Sequence, residues 1–234
     1  MNEHSWSPVP GPRSPILPVA VLASGRGSNL AALIDAREAG TLPITFTLVA
    51  GDKADAPALR NAEAHGIQTL ALAPRSFPSR RAFDEALFAH VAASGAQLVV
   101  LAGYMRIIDP EVVAAWTGRM INIHPSLLPK YRGLHTHRRA LAAGDLEHGV
   151  SVHFVSAELD GGPVIAQTRI DVRPGDGEDT LAERLLAHEH GLLVACVDAI
   201  ARGRVQVRED RVWFDNEPLQ APLRLDTAVH LTAA

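Results

Sequence analysis

Short apolar runs and helix-length segments alternate through the first half of this 234-residue chain, and that rhythm restricts the fold more than any other property of the sequence. The runs 19–23 (VAVLA), 45–50 (TFTLVA), 68–72 (QTLAL), 97–102 (QLVVLA) and 120–124 (MINIH) have the length and continuous apolarity of buried strands. Residues 31–40, 56–66 and 79–95 carry apolar side chains at helical spacing. Each of these segments ends in glycine, which suits the left-handed residue that closes many helices. Strand–helix–strand repetition implies right-handed crossovers, and so a mainly parallel sheet with helices on both faces. Residues 149–155 and 163–172 read as two more strands around the turn-like AELDGG, and a long helix runs from about Thr180 to Arg202. RVQVRED and RVWFDNEPL read as a small C-terminal hairpin. The expected fold class is α/β, a doubly wound Rossmann-like sheet whose ligands sit at the carboxyl ends of the strands.

The segment 1–18 is different in texture. It holds five of the 16 prolines, at positions 8, 10, 12, 15 and 18, and reads as a flexible, polyproline-like extension. One domain over 19–219 and a tail over 220–234 complete the expected organisation, with no internal repeat. Composition excludes several classes of function. Lys+Arg 22 against Asp+Glu 26 leaves a net charge of −4, which argues against a nucleic-acid partner. No apolar run reaches the 18 or so residues that cross a bilayer, and 1–18 lacks the hydrophobic stretch of a signal peptide. Cys196, the single cysteine, forms no internal disulfide or Cys-rich zinc site and suits a reducing compartment. A cytoplasmic protein without membrane contact is expected, either a monomer or a homodimer.

Between the first strand and the first helix lies Ser24-Gly25-Arg26-Gly27-Ser28-Asn29. Small residues let the backbone approach a ligand, and N–H groups at a helix start offer a site for a phosphate. The glycine pattern is incomplete for a dinucleotide, because Leu30 stands where a third glycine belongs, and the loop lacks the lysine of a P-loop. A smaller phosphate is favoured. Asp52 is placed to hold a ribose hydroxyl, so a dinucleotide stays open, as does a plain capped turn.

Ile121-Asn122-Ile123-His124-Pro125 carries the most chemical information. Asn122 and His124 are two apart on a strand and project to one side, and Pro125 ends the strand. An amide beside an imidazole suits reactions that build negative charge on a carbonyl oxygen. Asp160 lies on the Gly-rich turn Leu159-Asp160-Gly161-Gly162-Pro163. Paired with His124, it is expected to raise the imidazole pKa and favour the protonated ring. Taken singly, a strand histidine or an Asp-Gly-Gly turn is usually structural; the ordered set of three is less readily so. His135 and His137 lack the accompanying carboxylates of a metal site and read as pocket or loop residues. Leu128-Pro129 is a place where a cis peptide is sterically permitted.

The stretches ASGRGSNLAALID (23–35), LAGYMRI (101–107), INIHPSLLPKYRGLHTHRRAL (121–141), GVSVHFV (149–155) and ELDGGPVIAQ (158–167) closely resemble the phosphoribosylglycinamide formyltransferase family. The resemblance runs in order from about Val19 to Leu219. It implies transfer of a formyl group from 10-formyltetrahydrofolate, as cosubstrate, to the amine of glycinamide ribonucleotide, in de novo purine synthesis and without a metal. By the same resemblance Asn122, His124 and Asp160 are the catalytic trio, and Gly27, Ser28, Asn29 and Glu189 hold the ribonucleotide. Arg80, Met105, Arg106, Ile107, Ile108 and Asn122 belong to the folate side, closed over by Ser156, Ala157, Glu158, Leu159 and Asp160. The trio alone is shared with a formyltetrahydrofolate hydrolase, with a transferase acting on charged tRNA, and with a non-catalytic sensor that keeps the pocket. Only Pro-rich sequence precedes the first strand, and net charge is −4, neither of which favours the first two. The intact trio speaks against the third.

Overall fold

A computed structural model describes residues 16–226 and 230–233. The expected proline-rich extension falls outside the described residues up to position 15. Its far boundary is corrected, since the first strand, β1, spans Leu17–Leu22 and takes in Leu17 and Pro18.

The elements then follow as α1 (Ser28–Glu38), β2 (Ile44–Gly51), α2 (Pro57–Ala64), β3 (Thr69–Ala71), α3 (Arg80–Ala93), β4 (Leu98–Leu101), α4 (Pro110–Ala115) and β5 (Met120–His124). After these come α5 (Thr136–Ala143), β6 (Glu147–Phe154), β7 (Val164–Asp171) and α6 (Glu178–Ala201). The main sheet has the order β3-β2-β1-β4-β5-β6-β7 and is extended by β11 (Leu223–Leu225) and β12 (Leu231–Thr232). β1 through β5 pair in parallel, whereas β6 is antiparallel to both β5 and β7. The C-terminal hairpin is present as β8 (Val205–Arg208) and β9 (Arg211–Phe214), with the two residues of β10 (Glu217–Pro218) added.

Continuous apolar runs form strands here because both faces are covered. Along β1, Val19 and Val21 pack into one core with Leu30, Leu33 and Ile34 of α1 and Leu185, Leu192 and Leu193 of α6. Ala20 and Leu22 face the other core, built on Phe83, Leu87 and Val91 of α3, Val112 and Val113 of α4, and Trp116 just past its end. Each fully buried side chain of this size contributes about 1.5–3 kcal/mol. α3 begins where Ser79 Oγ accepts the Ala82 N–H at 3.1 Å, and α4 begins at Asp109-Pro110 with a side-chain cap to Glu111 N–H at 3.0 Å.

A boundary at residue 219 does not fall at the edge of the sheet. β11 pairs in parallel with β7, Leu223 opposite Ala166, and Leu223 is fully buried. The segment 220–234 therefore contributes strands to the domain.

Candidate active site

The carboxyl ends of β1, β4 and β5 lie side by side, and each carries one part of the site. At β1, Gly27 holds a left-handed conformation (φ 78°), and a Cβ there meets the Cβ of Ala58 at 2.6 Å. Only glycine satisfies both requirements. α1 then starts at Ser28, three residues earlier than expected, with no side-chain cap and no acidic residue in its first turn. Its first N–H groups are thus left for a ligand. Asn29 Nδ2 donates to Glu189 Oε2 at 3.1 Å, bringing together two predicted ribonucleotide residues that are 160 positions apart. Asn29 Oδ1 is buried without a partner among the described residues. Burial raises the Glu189 carboxyl, against the lowering influence of Asn29 and Arg26.

At β4, the loop over Tyr104–Ile108 is tied to the glycine loop, because the Met105 N–H donates to Ser24 Oγ at 3.0 Å. Met105 and Ile107 are exposed, Ile108 is buried, and Arg106 lies 5.0 Å over the Phe83 ring. Arg106 Nη1 is 3.8 Å from Asp52 Oδ2, so Asp52 faces this arginine. Arg80 is exposed at the first turn of α3 and shares the electrostatic surroundings of buried Asp84 with Arg106. Burial raises the Asp84 carboxyl.

At β5, Asn122 and His124 project to one side and meet Asp160. Asn122 Nδ2 donates to Asp160 Oδ1 at 3.4 Å, and His124 Nδ1 lies 3.5 Å from Asp160 Oδ2. His124 Nε2 donates to the Tyr131 carbonyl at 2.9 Å. Asp160 is itself held by the Gly133 N–H at 2.8 Å, and it sits in a left-handed turn (φ 46°). Gly162 lets that turn close, since a Cβ there falls 1.9 Å from the Phe154 carbonyl oxygen. Arg132 donates to Glu158 and joins the 125–135 loop to the turn over Ser156–Asp160. Ala157, Glu158 and Leu159 are exposed on that turn. Buried Ser151 and Gln167 fix the loop from behind, through Leu128 N–H to Ser151 Oγ (3.1 Å) and Gln167 Nε2 to the Leu128 carbonyl (2.9 Å). Leu128-Pro129 is cis.

His153, which the sequence reading missed, completes the cluster. It stands opposite Asn122 in the β5–β6 pairing, and its Nε2 lies 3.2 Å from Asn122 Nδ2 and 3.6 Å from Asp160 Oδ1. Its Nδ1–H donates to the Phe154 carbonyl at 2.9 Å. A histidine inside the apolar run 149–155 was the available signal; the antiparallel register that aims it was not.

The expectation of a charged His124 is corrected. Burial pushes its pKa below the ordinary imidazole value and outweighs the Tyr131 carbonyl and Asp160, which favour the charged ring. Burial acts on Asp160 in the opposite sense, but His153, the Gly133 N–H and His124 prevail and hold that carboxyl at about 2. The resting pair is a neutral imidazole beside a carboxylate. Elsewhere, His137 Nδ1 lies 3.0 Å from His148 Nε2, and among the described residues no group of three His, Cys, Asp or Glu forms a metal site. Among the same residues, no helix is long and apolar enough to cross a membrane.

With an amide, an imidazole and a carboxylate at the end of one strand beside an open helix start, the molecule has the layout of a group-transfer enzyme. The chain belongs to the formyl transferase family, whose sequence model matches residues 17–197. It is 47% identical over 201 residues to the phosphoribosylglycinamide formyltransferase of Escherichia coli strain K12, covering 86% of this chain and 95% of that one. Among solved structures, the phosphoribosylglycinamide formyltransferase of Coxiella burnetii matches with a TM-score of 0.84 and 45% identity over 87% of this chain and 96% of its own. Glycinamide ribonucleotide transformylase 1 of Symbiobacterium toebii matches with a TM-score of 0.83 and 40% identity over 86% and 95%.

Proposed function

We propose that this transferase moves the formyl group of 10-formyltetrahydrofolate to the amine of glycinamide ribonucleotide, giving formylglycinamide ribonucleotide and tetrahydrofolate in the cytoplasm. The observation that carries the reading is the meeting of Asn122 and His124 on Asp160 at the end of β5, beside a glycine loop tied to the β4 loop through Ser24 and Met105. The ribonucleotide phosphate fits the uncapped start of α1, with Gly27, Ser28 and Asn29 as its backbone donors and Glu189 beside them. The folate fits the other half. Exposed Met105, Ile107, Leu134 and Leu159 rim the polar centre, a surface suited to a flat ring. Arg106 and Arg80 supply the positive charge that an anionic folate needs, and Ile108 and the 156–160 turn complete the walls.

In this mechanism the glycinamide amine attacks the formyl carbon, and the carbonyl oxygen becomes an oxyanion. Asn122 donates its amide N–H to that oxygen, exchanging a long bond (3.4 Å to Asp160) for a charge-assisted one. His124, neutral at rest with its Nε2–H fixed on Tyr131, accepts the proton shed by the amine at Nδ1. The imidazolium so formed lies beside the Asp160 carboxylate and is stabilised there. It also stabilises the oxyanion, then returns the proton to N10 as the carbon–N10 bond breaks. His124 thus acts as base and then as acid, and Asp160 as the partner that makes the intermediate charge tolerable. His153 is placed to orient both Asn122 and Asp160.

The decisive assay supplies 10-formyltetrahydrofolate and follows tetrahydrofolate release with and without glycinamide ribonucleotide. Release that depends on the amine is the expected result. Equal release without it identifies a hydrolase, and folate binding with no release identifies a sensor.

A further inference from the structure

Arg26 sits between the two glycines of the loop, is exposed, and makes no hydrogen bond or ion pair among the described residues. The loop that carries it is not loose. Ser24 N–H donates to the Gly103 carbonyl at 3.1 Å, Ala58 N–H donates to the Gly25 carbonyl at 3.2 Å, and Gly27 is packed on Ala58. The backbone that carries the guanidinium is therefore fixed at the positive end of α1, whose first turn has no acidic residue and no side-chain cap. A cation belongs at the other end of a helix; at this end it is electrostatically unfavourable unless an anion binds. Two further observations mark the same corner as a ligand site. Asn29 is only 8% exposed and its Oδ1 has no partner among the described residues. Glu189, whose carboxylate Arg26 favours through space, already receives the Asn29 amide and leaves the guanidinium uncommitted.

We propose that Arg26 is a phosphate-binding residue that makes this enzyme select a phosphorylated acceptor over its unphosphorylated counterpart. The guanidinium closes on the phosphate from outside while the first N–H groups of α1 hold it from below, a pairing that suits the planar donor fork of arginine. The proposal rests on the reading of glycinamide ribonucleotide as acceptor.

The test compares the wild-type enzyme with Arg26→Ala, Arg26→Lys and, as a charge control at the far end of α1, Arg37→Ala. The readouts are KM for glycinamide ribonucleotide, KM for the same acceptor without its phosphate, and calorimetric binding of inorganic phosphate. Arg26→Ala is expected to raise KM for the phosphorylated acceptor about tenfold, to change KM for the unphosphorylated one less than about twofold, and to weaken inorganic phosphate in parallel. Arg26→Lys should recover part of the loss, and Arg37→Ala should change none of the three. An unchanged KM in Arg26→Ala, an equal rise for both acceptors, or the same rise in Arg37→Ala overturns the proposal. A wild-type enzyme inert toward glycinamide ribonucleotide removes the substrate reading instead, and the dependence of inorganic phosphate binding on Arg26 still decides this residue's role.

Discussion

His124 Nδ1 lies 3.5 Å from Asp160 Oδ2, close enough to feel the carboxylate and too far for a short charged hydrogen bond. At this spacing the loss of hydration at His124 outweighs the attraction, so the ring rests neutral while Asp160 stays ionised. The pair is arranged to receive a proton rather than to store one.

The pH dependence follows with a definite sign. In the proposed mechanism His124 must be neutral to accept a proton, and because its pKa is depressed its own limb in the kcat profile should lie on the acid side, below the ordinary imidazole value of about 6.5. Asp160→Asn removes a charge that opposes the effect of burial, so His124 should titrate lower still. Nitrogen-15 NMR of the imidazoles checks this, and a rise in the variant contradicts it.

Asn122→Ala should lower kcat by about 10²–10³ while leaving affinity for glycinamide ribonucleotide within about twofold, the pattern of a donor used only in the transition state. Steady-state kinetics with binding by calorimetry separates the two. Near-normal turnover would remove Asn122 from the mechanism.

Gly27→Ala introduces both a strained φ of 78° and a Cβ 2.6 Å from that of Ala58. The backbone alone accounts for a cost on the order of 1–3 kcal/mol, and displacement of α2 adds to it. Gly25→Ala meets nothing within 4 Å and should unfold near the wild-type temperature. Thermal melts of the two variants should therefore diverge, with Gly27→Ala alone shifted down.

His148 is 1% exposed beside His137, and burial followed by that second ring depresses its pKa to about 4. The unfolded chain binds this proton more readily than the folded one. The corresponding stability is fully present above about pH 6.5 and is lost as pH falls through about 4, on the order of 3 kcal/mol in all. Denaturant unfolding between pH 7 and 4 should show that slope, and His148→Gln should flatten it.

The buried strands were legible because the chain spends whole apolar runs on them, as at 19–23 and 97–102. α4 was overlooked although Asp109-Pro110 signals a helix start, since six residues are too few to show a period. α5 hides in a segment dominated by its histidines and arginines. Asn122 and His124 were readable from their alternation in β5, whereas His153 required a register between strands 31 residues apart. The charge on His124 was misread for a related reason: spacing reveals a partner, but only packing reveals how much water is lost. β11 and β12 escaped notice because strands of three and two residues carry no alternation of their own.

β5 is the seam between two kinds of sheet, with parallel β4 on one side and antiparallel β6 on the other. Its chemistry is consequently walled by a strand on one flank and by loops on the other. Loops tolerate insertion and exchange; a paired strand in register does not. Acceptor contacts can therefore be altered in the β1 loop, and folate contacts in the β4 loop, without disturbing the paired β5–β6 register that carries Asn122, His124 and His153.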